Sequence, residues 1–223
     1  MIPEHYSRDI PERCDALIDL LSETVEQPQV RFGGPLKTTF LLAMAMPMIL
    51  LPWERLFQRG KGGKANPAAE HDLDKAMTDE VVGLIGAGKL AEEPFFEVGA
   101  WALASRQTPF KVGREWPYDL AEELASADAA DAATALAPKV FLSILRNALA
   151  HGAITYLDQT GYQAGGEAQM FGFVAKQDYG ALPIHVLRVD KDAFRRFLRA
   201  WAQWLRQAGV QDLLGEGPAL AAE

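Results

Sequence analysis

The chain has 223 residues, 49% of them hydrophobic, with 22 lysines and arginines against 30 aspartates and glutamates. That content supports a packed core and excludes wholesale disorder, while a formal charge of -8 excludes a global positive field that would gather nucleic acid. Any contact with a polyanion must come from a local patch.

Met1 to His5 lack the basic region and apolar run of a signal peptide, so a cytoplasmic location is expected. Asp9 can cap a first helix whose apolar positions Cys14, Leu17, Ile18, Leu21 and Val25 follow a 3.6-residue repeat until Pro28. Cys14 is the single cysteine. It excludes an internal disulfide or a cysteine-based zinc cluster, and its place on the apolar face reads as a buried structural thiol. After a turn at Gly33-Gly34-Pro35, Leu36 to Phe57 reads as a central apolar helix. Its most hydrophobic run, Thr38 to Trp53, contains Pro47 and Pro52 and falls short of the ~20 residues that span a bilayer, so no membrane partner is expected.

A basic loop, Arg59 to Pro67, precedes a helical repeat at Leu73, Met77, Val81, Leu84 and Ile85 that ends near Gly86 or Gly88. Phe95 to Leu103 is apolar and ambiguous between helix and strand, and Arg106 to Pro117 carries turn signals. An acidic helix is expected over Tyr118 to Ala127, then an alanine-rich polar connector to Ala137.

Pro138 suits the first turn of the next helix, Phe141, Ile144, Leu145 and Ala148 line one side of it, and Gly152 stands where a C-terminal cap belongs. Short runs of strand composition follow at Ile154 to Asp158, Gln169 to Ala175 and Ile184 to Val189. Asp190 or Asp192 then caps a last helix with an apolar stripe of Phe194, Phe197, Leu198, Trp201, Leu205 and Ala208. Arg195, Arg199 and Arg206 line up about 140° from that stripe. Six basic and two acidic residues between Arg188 and Arg206 make this helix a candidate anion-facing, substrate-binding surface. Residues 1–210 are expected to form one domain and 211–223 a flexible tail.

Val81 to Ala91 matches the G-x-G-x-x-A pattern of a dinucleotide-binding turn, which would suggest an NAD-dependent reductase. Pro94 would cut the helix that such a turn requires, no second strand ending in an acid follows, and the chain does not alternate strand and helix. No His, Asp or Glu set has metal-ligand spacing, so neither a metal nor another cofactor is expected.

The remaining polar cluster is Arg146-Asn147-Ala148-Leu149-Ala150-His151-Gly152. On one straight helix Arg146 and His151 lie about 7.5 Å apart along the axis and about 140° apart around it. They form one site only if two such helix ends meet across a two-fold axis. Imidazole moves protons near neutral pH and guanidinium holds phosphoryl charge, a pairing suited to metal-free RNA cleavage through the ribose 2′-hydroxyl.

Arg-Asn-x-x-x-His-Gly at the end of a late helix resembles the R-x(4–6)-H motif of the HEPN domain superfamily. The resemblance implies a mainly α, up-and-down helical bundle, here with a small antiparallel β meander between the motif helix and the C-terminal helix. It implies a homodimeric, metal-independent endoribonuclease in toxin–antitoxin, phage-defence or RNA-processing roles, with an antitoxin or regulatory protein as a possible partner. Arg146 would polarise the phosphate, Asn147 would support it and His151 would be the general acid and base. The alternative is a non-catalytic HEPN-like module that dimerises or binds RNA or a partner protein.

Overall fold

The computed structural model describes residues 6–57, 83, 85, 88–112, 114–176 and 182–207. The basic loop at 59–67, the start of the helical repeat at Leu73 and the tail at 211–223 lie outside them. Among the described residues, the α-helices α1 (Tyr6–Glu26), α2 (Lys37–Phe57), α3 (Tyr118–Leu124), α4 (Ala127–Thr134), α5 (Pro138–His151) and α6 (Lys191–Gln207) pack around one sheet. Its strands are β1 (Trp101–Arg106), β2 (Ile154–Leu157), β3 (Met170–Lys176) and β4 (Ile184–Asp190).

The expectation of a helical bundle with an appended meander is overturned. The strands form an antiparallel sheet in the order β1-β4-β3-β2, and this sheet lies within the core rather than beside it. The decisive element is β1, which precedes the motif helix by more than thirty residues and pairs with β4 from Trp101↔Val189 to Arg106↔Ile184. Its sequence, WALASR, has no β-branched residue, and three of its first four positions are buried, so neither strand composition nor alternation marked it.

The sheet has two unlike faces. Trp101, Phe171, Phe173, Leu187 and Val189 point into a large core shared with α5, α6, α2 and α1. Ring packing organises it: Phe141 of α5 meets Trp101 at 4.7 Å and Phe197 of α6 at 5.5 Å, edge to face in both cases, a favoured geometry for aromatic quadrupoles. The buried Trp201 donates its indole N–H to the Met48 carbonyl at 2.8 Å, fixing α6 to α2.

On the opposite face Ala102, Ala104, Val174, Ile184 and Val186 meet Leu120, Leu124 and Ala129 of α3 and α4. The alanine-rich connector is in fact largely α4. Ser126 caps it by accepting from the Ala129 amide at 3.2 Å, and only Ala129 and Ala133 are buried along it. A helix whose buried side chains are all methyl groups has almost no hydrophobic period to detect. The acidic helix before it stops at Leu124, short of the expected Ala127.

Cys14 is buried, and burial pushes its thiol up to about 11, as expected for a structural rather than reactive cysteine. Leu17, expected on the same apolar face, is 38% exposed. No helix among the described residues is long and apolar enough to cross a membrane.

Candidate functional site

Helix α5 runs to His151, and Gly152, at φ 65°, turns the chain out of it. The Ala153 amide donates to the Ala148 carbonyl at 2.9 Å and the Gly152 amide to Leu149 at 3.3 Å, a Schellman closure that leaves the last turn intact. His151 is therefore a helical residue at a closed end, and its side chain is exposed. Regular geometry through residue 151 keeps it about 140° around the axis from Arg146. One copy of the chain does not bring the two side chains together.

Arg146 and Asn147 are fixed from behind. The Arg146 Nε donates to Oε1 of Glu54, on α2, at 2.7 Å, and Nη2 donates to the same oxygen. Nη1 donates to Oδ1 of Asn147 at 2.8 Å, and the Asn147 amide donates to the Lys176 carbonyl of β3 at 3.0 Å. Three of the five guanidinium donors are thereby engaged among the described residues, and one N–H on each terminal nitrogen is left over. The Arg146 side chain keeps 21% of its surface in solvent and Glu54 29%. The carboxylate cancels much of the charge but also locks the orientation of the fork.

Glu54 was not singled out from the sequence. It lies ninety-two positions from Arg146, yet it is the lone carboxylate in the apolar run from Thr38 to Phe57. A single acid in such a helix needs a cation or water to face, and that was the available signal.

The α6 arginines occupy a different setting. Arg195 meets Asp19 at 2.9 Å, Arg199 reaches Asp15 at 3.4 Å and also Asp19, and Arg206 reaches Glu12 at 3.3 Å. Glu12, Asp15 and Asp19 are spaced three and four apart on α1 and so share a face. The hydrogen bond from Arg195 is the largest cause holding the Asp19 carboxyl below its ordinary value. Arg196 pairs through both nitrogens with Glu97 at 2.9 Å, and Lys191 meets Glu167 at 3.1 Å. The basic stripe read from the sequence is thus largely neutralised by the chain's own carboxylates.

His185 is half-buried on the aromatic face, where its Nδ1 lies 3.1 Å from Ser105 Oγ on the neighbouring strand. Burial lowers its pKa and favours the neutral ring. It sits opposite Ala175, one residue before the Lys176 carbonyl that Asn147 holds. Of the dinucleotide-turn pattern, residues 81, 82, 84, 86 and 87 lie outside the described residues. Its last part, Leu90–Glu92, is a single 3-10 turn rather than the long helix such a site opens. Among the described residues no three His, Cys, Asp or Glu side chains gather as a metal site would require. No protein-family model matches this chain, and no curated protein or solved structure is significantly similar to it.

Proposed function

We propose that the protein is a metal-independent endoribonuclease whose site is completed where the α5 ends of two copies meet. The observation that carries this reading is the Arg146 guanidinium, held rigidly by Glu54 and Asn147 with N–H donors remaining on both terminal nitrogens. A fork oriented in advance does not reorganise when phosphoryl charge develops, which is the condition for effective transition-state stabilisation. Two exposed copies of His151 supply the proton transfers. One takes the proton of the ribose 2′-hydroxyl as that oxygen attacks the adjacent phosphorus. The other protonates the departing 5′-oxygen, leaving a 2′,3′-cyclic phosphate.

A second reading is favoured by the same contacts taken as architecture. Glu54, Arg146, Asn147 and the Lys176 carbonyl form a chain of hydrogen bonds tying α2, α5 and β3 together, as a non-catalytic dimerisation or binding module would also need. The two readings part in one experiment. Total RNA is incubated with purified wild type, Arg146→Ala and His151→Ala, all in EDTA. The ribonuclease predicts cleavage by wild type, lowered about 100-fold or more in each variant. Cleavage that persists in both variants overturns the site, and no cleavage by any of the three favours the binding module. Because Arg146→Ala leaves Glu54 without its cation, circular dichroism of each variant accompanies the assay.

A further inference from the structure

Of the six basic residues between Arg188 and Arg206, five meet a carboxylate: Lys191, Arg195, Arg196, Arg199 and Arg206. Arg188 does not. It lies half-buried in β4 on the small-residue face of the sheet, opposite Gly172 on one side and Ala102 on the other. Burial alone lowers its pKa, with no neighbouring charge acting to raise it. Arginine retains its proton under such conditions, so a charged, half-buried fork stands without a counter-ion among the described residues.

The surroundings of that fork are built closely around it. The turn from Asp158 to Tyr162 folds over the guanidinium: a Cβ on Gly161, which sits at φ 85°, would stand 2.7 Å from Nη1. Only glycine permits both the left-handed backbone and that approach. The Asp158 carboxylate faces into its own turn, accepting from the Thr160 amide at 2.8 Å, the Thr160 hydroxyl at 2.6 Å and the Tyr162 amide at 3.2 Å, so it does not neutralise Arg188. Trp116 packs closely on Gly172 and donates its indole N–H to the Gly161 carbonyl at 3.0 Å, pinning the turn in place. Tyr162, next to Gly161, packs on Tyr118 with ring centroids 5.1 Å apart, and Tyr118 is 66% exposed. The hydrogen bond with the Tyr118 hydroxyl is the main reason the Tyr162 phenol is pushed up to about 12.

We propose that Arg188, Gly161, Trp116 and the Tyr118–Tyr162 pair form a nucleotide-binding recess, in which the guanidinium takes a phosphate and the exposed face of Tyr118 stacks on the base. An anion there would meet several oriented N–H donors in a low-dielectric setting, where a charge-assisted bidentate bond is strongest. An exposed aromatic ring packed on the residue that follows Gly161 suits a base, since every base offers a π-face. Glu122 and Asp158 also lie near Tyr162. Their field disfavours a bare anion, so phosphate and base are both required. The same chemistry arrives as a free nucleotide or as part of an RNA chain. The recess is on the opposite face of the sheet from Arg146 and does not depend on a ribonuclease activity.

Isothermal titration of the full chain at low salt tests the proposal with AMP, adenosine and inorganic phosphate as probes. AMP is expected to saturate one site, with adenosine and phosphate each bound about tenfold or more weakly. Arg188→Gln should weaken AMP about tenfold or more and leave adenosine unchanged. Tyr118→Ala, at a position 66% exposed, should weaken AMP and adenosine about fivefold or more, with circular dichroism unchanged. No saturable binding of AMP, or AMP binding unaltered in either variant, overturns the recess. A short oligoadenylate that competes with AMP identifies RNA as the source of the nucleotide, and one that fails to compete identifies the free nucleotide.

Discussion

The sheet face under α5 and α6 is filled by aromatic rings, whereas the face under α3 and α4 is floored by alanine and glycine, and Arg146 on the first side is held differently from Arg188 on the second. On the aromatic side the helices pack on the sheet through rings, and Arg146 of α5 meets a carboxylate on the neighbouring α2. On the other side the small floor lets Trp116 and the Gly161 turn press onto the strands, and Arg188 is enclosed without an acid among the described residues. A small floor does not by itself deprive a cation of its acid, since Arg106 on the same face meets Asp119 and Glu123 of α3 at 3.0 and 2.7 Å. What sets Arg188 apart is the Gly161 turn that closes over it.

The largest expected effect lies on the aromatic side. Phe141 is fully buried and meets the rings of Phe96, Trp101 and Phe197, so Phe141→Ala should cost about 3–5 kcal/mol in urea denaturation. A cost below about 1 kcal/mol would mean that this face is loosely packed and the contrast is false. On the small-residue side the sensitive change is an enlargement. A Cβ on Gly172 would stand 2.6 Å from the Trp116 ring, so Gly172→Ala should cost about 1–3 kcal/mol by displacing the indole. Loss of AMP binding should accompany it. If stability and binding are both unchanged, Trp116 does not seat against this strand.

The same contrast explains what could be read without coordinates. Helices α5 and α6 announce themselves because their buried side chains are large and recur every three or four residues, and Gly152 marks the end of α5 where its left-handed φ is needed. Strand β1 and helix α4 pack through Ala102, Ala104, Ala129 and Ala133, whose methyl groups carry little periodic signal, and so a sheet at the core was mistaken for an appendage to a bundle. At the site, Arg146, Asn147 and His151 were legible as local spacing. Whether the fork was free, paired with Glu54 or opposed by a second copy is a long-range matter that spacing does not encode. Arg188 was visible only as one more charge on a basic stretch, because its isolation depends on where five neighbouring cations found their acids.

That stretch supplies the smallest effect and the control for both arginine sites. Arg199 bridges Asp15 and Asp19 between α6 and α1, but 42% of its side chain is in solvent. Exposed pairs gain little Coulomb energy in water, lose side-chain entropy on ordering and are screened by salt. Arg199→Gln should therefore cost no more than about 1 kcal/mol in denaturation, and the difference should shrink as salt is raised from about 0.05 to 0.5 M. Glu54→Gln should cost more, since Arg146 is half as exposed as Arg199 and its Nε and Nη2 lose a charged acceptor. If Arg199→Gln proves the costlier of the two at every salt concentration, enclosure is not what separates the cations of this protein. The stripe on α6 would then be a structural seam rather than a set of solvated ion pairs.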